Sequence, residues 1–193
     1  MIRKTLLNVG LAMLAAAPLT AQAAHNMAGM GGSQGASMNM PDSYKQMQQS
    51  ALETQRHLLL AMADSMPENL YRQHATPIQR DFAQQVEHAA GSVSMVLNAT
   101  LHTPMPARMD TAQYLNSRAG LKSFINAQYD AAEATLRGLS ASDYNKTVNL
   151  FGMKTLPAWQ VFDEIHEHTF WTAGQIVANF RNNGMAPPGF GFF

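Results

Sequence analysis

The stretch EIHEHTFWTAGQIVANFRNNGMAPP, residues 164–188, decides the fold. Preceded by Val161, the residues Ile165, His168, Thr172, Ile176 and Asn179 recur at the spacing of one face of an α-helix. A histidine and a threonine therefore sit in an apolar stripe. The helix is expected to stop near Asn183, because Gly184 offers a left-handed cap position and Pro187-Pro188 cannot continue the hydrogen-bond ladder.

Working outward, three more helices are expected. The first should open at Ser43, which with Gln46 has the spacing of a capping box, and run to about Met66 before Pro67. Met47, Ala51, Leu58, Leu59 and Met62 would form its core face. The second should start with Thr76 as N-cap, Pro77 at the first helical position and Gln79 closing the box, placing Ile78, Phe82, Val86, Val93 and Leu97 on one side. Residues 102–116 hold two prolines and read as a crossover loop. Leu121, Phe124, Gln128, Ala131 and Leu139 then mark a third helix, ending at residues 138–140. The last opens near Pro157, and residues 149–155 before it read as loop. No strand signal competes, so the expected fold is all-α, an antiparallel four-helix bundle.

The chain has 193 residues, 46% of them hydrophobic and 13% charged, which suits one core. Arg3-Lys4, the apolar run 6–19 and the triplet Ala21-Gln22-Ala23 read as a secretory signal peptide over residues 1–23, cleaved after Ala23. The expected location is thus exported, periplasmic or secreted, with no membrane association after cleavage. Residues 24–41 form a Met/Gly/Ser-rich tail without periodicity, residues 42–188 the bundle, and residues 189–193 a short C-terminal tail. The absence of cysteine excludes a disulfide framework, a thiolate nucleophile and thiolate metal sites. Losing Arg3 and Lys4 leaves a slight acidic excess, and the remaining basic residues are scattered, so nucleic acid is excluded as a partner.

Two stretches carry a family resemblance. MPENLYRQHATPIQRDFAQQVEHAAGS, residues 66–92, places His88 six residues after Phe82; HTFWTAGQIVANFRNNGMAPP, residues 168–188, is similar to an HxxxH-x-GQ segment closed by NG-x-x-PP. With Leu150-Phe151-Gly152 ahead of the last helix, residues 42–188 resemble the DinB-like superfamily of helical bundles. In many members a divalent metal, zinc or nickel most often, is held by one histidine of the second helix and two of the last. The resemblance maps these roles onto His88, His168 and Thr172. Thr172 breaks the pattern, because a neutral hydroxyl is a poor ligand for zinc or nickel.

Each site residue has a plainer reading beside it. His168 could be a hydrogen-bonded core histidine, and His88, on the shoulder of its helix, a half-exposed surface one. Glu164, one turn before His168, could replace the missing histidine or be a solvated helix start. His166 lies about 160° around the helix from His168, so the two cannot both point into one core. In Gly174-Gln175 the glycine would permit close helix packing and Gln175 would hold a ligand or water behind the metal. Phe170, Trp171 and Phe180 would be core or lid.

His25, Met27, Met30, Met38 and Met40 place an imidazole and thioethers in the tail, a set that suits copper. Three functions follow: a metal-binding bundle of the exported compartment without assured catalysis, a metal-dependent thiol transferase or isomerase, and a copper-handling module. Homodimerisation is a further implication of the resemblance, and the small-molecule ligand stays open.

Overall fold

The computed structural model describes residues 41–189. The chain divides into Met1–Ala36 and Ser37–Phe193, and the description below concerns the second unit. The signal peptide, almost all of the Met-rich tail with its five copper candidates, and residues 190–193 lie outside the described residues.

Four long helices dominate: α1 (Asp42–Ser65), α2 (Phe82–Leu101), α4 (Arg118–Gly138) and α6 (Ala158–Asn182). Between them lie short α3 (Thr111–Tyr114), α5 (Ala141–Asn145) and a hairpin of β1 (Thr147–Leu150) and β2 (Lys154–Pro157). Their packing follows the ring α1, α4, α2, α6 and back to α1. Cross-helix bonds give the directions. Along α1, Lys45, Arg56 and Asp64 meet Arg137, Asp130 and Lys122 of α4 in descending order, so this pair is antiparallel. In α1 and α6, Gln48 and Gln55 meet Asp163 and His166 in ascending order, which makes them parallel. By the same test α2 is antiparallel to α6 and parallel to α4. The expected antiparallel bundle therefore fits only loosely. Long connections on either side of α2 allow two neighbouring pairs to run the same way.

The last helix matches its sequence pattern. Val161, Ile165, Thr172, Ile176 and Asn179 are buried, and His168 is half-buried at the edge of the stripe. Gly184 takes φ of 67°, which lets its N–H reach Arg181 O and the N–H of Met185 reach Phe180 O, both at 3.0 Å. These two bonds form a Schellman cap, and Met185 packs on the core as that motif favours.

Three expectations need correction. In α1 the cap is Pro41 with no side-chain bond, so the Ser43–Gln46 box does not form, and the buried face is Gln48, Leu52, Gln55, Leu59, Met62 and Ala63. Met47 is 65% exposed. The amides turn inward because partners meet them there. Gln48 donates to Asp163 Oδ1 at 2.9 Å and to the Trp159 carbonyl at 2.7 Å, and accepts from the Tyr144 hydroxyl at 2.6 Å.

The start of α2 is also displaced. Asp81, not Thr76, is the N-cap: its carboxylate takes the Gln84 N–H at 2.8 Å while Gln84 Oε1 takes the Asp81 N–H at 3.1 Å. Thr76-Pro77 instead opens a turn closed by Gln79 N–H to Thr76 O, and Ile78 is 98% exposed. Arg72 pairs with Asp81 at 2.7 Å, and the buried Tyr71 donates to Ala63 O at 2.6 Å, which ties residues 71–81 back onto α1.

The third correction is the segment expected as loop. Val148 pairs with Leu156 and Leu150 with Lys154 across a turn where Phe151 and Gly152 take φ of 53° and 74°. Val148, Leu150 and Leu156 are buried, so β1 alternates inward and outward and β2 turns Leu156 inward, each over only four residues. The hairpin hands the chain to α6 through Ala158 N–H to Lys146 O at 2.8 Å.

Candidate metal centre

The antiparallel contact of α2 with α6 brings His88 and His168 together. Their ring centroids are 5.0 Å apart with planes at 77°, an edge-to-face pair. Both are half-buried, and the first cause of their lowered pKa is loss of water around the charged form. The Arg80 guanidinium lowers both further, and His168 adds a smaller push on His88. The pair is thereby held in the neutral form that ligates metals.

Thr172 is one turn beyond His168 on the same face, 1% exposed, and its hydroxyl has no hydrogen-bond partner among the described residues. Gln175 continues that face. Its side-chain oxygen accepts from Gln85 Nε2 at 3.2 Å and its carbonyl from Gln79 Nε2 at 3.0 Å. Gln175 thus clamps the start of α2 onto α6, and Gln85 sits one turn before His88 with its own Oε1 unpartnered.

Other expected residues fall elsewhere. Glu164 is bonded to Lys154 of the hairpin, so its carboxylate is already engaged away from the imidazoles. His166 points to α1, where its Nδ1 faces Gln55 Nε2 at 3.1 Å, and its ring packs 4.7 Å from Phe170. Gly174 is exposed and a Cβ there would meet nothing within 4 Å, so close helix packing is not its role. Phe180 is core, whereas Trp171 is 75% exposed.

Sequence reasoning missed Arg80. No spacing rule marks it, because its approach to the histidines depends on how residues 71–81 fold. Among the described residues no group of three His, Cys, Asp or Glu side chains could hold a metal ion. The donor set present is two neutral imidazoles and one orphaned hydroxyl. That set fits a divalent ion held on two protein nitrogens with water completing the shell, a weaker site than three imidazoles.

Helices in this ring, with a histidine pair across α2 and α6, define a mostly helical protein of bundle type. A family model of the DinB superfamily matches residues 51–176, and the chain belongs to that superfamily. It is similar to the crystal structure of a DinB-like protein from Bacillus cereus, with 14% identity and a TM-score of 0.58, over 79% of this chain and 99% of that one. At that identity the likeness speaks for the fold alone. No curated protein matches the chain.

Proposed function

We propose that the protein is an exported DinB-family bundle that binds one divalent ion, zinc or nickel, at His88 and His168. The observation that carries this reading is the pair itself: two half-buried imidazoles, 5.0 Å apart on facing helices, kept neutral by their surroundings. Thr172 supplies a hydroxyl for a metal-bound water, and Gln175 fixes the helix spacing that the pair needs. Export rests on Arg3-Lys4, the apolar run and Ala21-Gln22-Ala23, and no helix among the described residues is long and apolar enough to cross a membrane.

A second reading, metal-dependent transfer or isomerisation of a low-molecular-weight thiol, is favoured by Arg80. A cation beside the imidazoles opposes a bare dication and favours an anionic partner such as a thiolate. The copper reading rests on His25, Met27, Met30, Met38 and Met40.

Metal analysis and zinc titration of the purified protein separate these. About one ion per chain is expected, lost in His88→Ala and in His168→Ala while helicity is retained. Uptake that survives both changes but vanishes when residues 24–41 are deleted would move the metal to the tail. Turnover of thiols by the metal-loaded protein would select the second reading.

A further inference from the structure

A cavity lies between α2, α4 and the crossover that carries α3. It has a volume of about 360 Å³, within the range of small-molecule sites, and shares no lining residue with the histidine pair. One wall is flat and aromatic, Tyr114 stacked on Phe124 with centroids 4.5 Å apart and planes at 18°. Met105 and Met109 from the crossover provide adaptable apolar contacts. Gly91 of α2 lets the Phe124 ring pack close against the helix, since a Cβ there would come 3.3 Å from that ring.

Two polar groups in this cavity lack partners. Gln128 is 5% exposed; its Oε1 is taken by the Ser94 hydroxyl, which orients the amide, and its Nε2 donates to nothing among the described residues. Arg108, exposed on the crossover, has neither ion pair nor hydrogen bond among the described residues. The nearby acids are engaged elsewhere. Glu87 accepts from the Tyr114 hydroxyl and Asp110 Oδ1 from the Ala112 N–H at 2.9 Å, and neither lines the cavity.

We infer that this cavity is a binding site for a small carboxylate with a flat apolar body. Arg108 pairs with the carboxylate, the body lies against Phe124 beneath the two methionines, and the Gln128 amide donates to an acceptor at the far end. The site is independent of any metal.

Calorimetric titration of the purified full chain with para-coumarate, and with its neutral amide, tests this. Saturable binding of one para-coumarate per chain is expected. The amide, and para-coumarate on Arg108→Gln, should each bind about tenfold more weakly. Arg108 is exposed on a loop, so that variant should fold. His168→Ala should bind as the wild type does. No saturable binding, equal affinity for Arg108→Gln, or a loss confined to His168→Ala would each overturn the inference.

Discussion

Asn179 closes the buried stripe of α6 at 1% exposure, and neither its amide nitrogen nor its oxygen has a hydrogen-bond partner among the described residues. A buried amide without partners costs free energy that an apolar side chain of similar size does not. Asn179→Leu is therefore expected to raise stability by about 1 kcal/mol in urea unfolding, whereas a loss of that size would mean that the amide is satisfied. Thr172, seven residues earlier on the same face, shares this orphaned state but lies one turn from His168. The difference between the two was not legible in the sequence, where both are polar residues in an apolar stripe. Depth in the stripe could be read from spacing. Whether a partner group reaches each atom depends on helices far away in the chain.

At the scale of elements, the helices were legible and the start of α2 was not. α6 followed its pattern from Pro157 to Gly184, because periodicity, a glycine cap and prolines all pointed to one boundary. The start of α2 misled, because Thr76-Pro77-Ile78-Gln79 has capping-box spacing while the working cap, Asp81, is chosen by an ion pair with Arg72 and by the docking of Tyr71. The two caps can be told apart by substitution. Asp81→Ala should cost about 2 kcal/mol, because it removes a reciprocal cap and leaves the Arg72 guanidinium unpaired. Thr76→Ala should change stability by less than about 0.5 kcal/mol. The reverse order would show that α2 begins at Thr76 in solution. The hairpin escaped the sequence reading for another reason: strands of four residues are too short for alternation to stand out from loop composition.

For the whole molecule, the five tyrosines report on the integrity of the fold together. Burial raises the pKa of Tyr71, Tyr129 and Tyr144, and burial with a carboxylate acceptor raises Tyr44, through Asp163, to about 12, and Tyr114 through Glu87. A group whose pKa is raised in the fold stabilises it fully below its unfolded value, near 10, and that contribution disappears as pH rises through the folded value. The phenolate absorbance should therefore stay low past pH about 10 and then rise together with loss of helical signal. Phenolates titrating near pH 10 with helicity intact would contradict the packing of α1, α4 and α6 around them.

The family and its helical character were legible from residues 66–92 and 168–188, because the motif residues carry both the helix faces and the roles that the resemblance assigned to them. The up and down order of the helices was not, since nothing local records which neighbours run parallel. For the site, the sequence pointed to His88 and His168, which the fold brings together, and to Thr172 as the break. It did not show that Glu164 is bonded to Lys154 or that Arg80 sits by both rings. X-ray absorption at the zinc edge of the protein loaded with one equivalent tests the central claim most directly. Two imidazole nitrogens with oxygen completing the shell, and loss of that bound-zinc signature in His88→Ala, is the predicted result. A spectrum with thioether sulfur, or one unchanged by His88→Ala and His168→Ala, would contradict a metal held between α2 and α6.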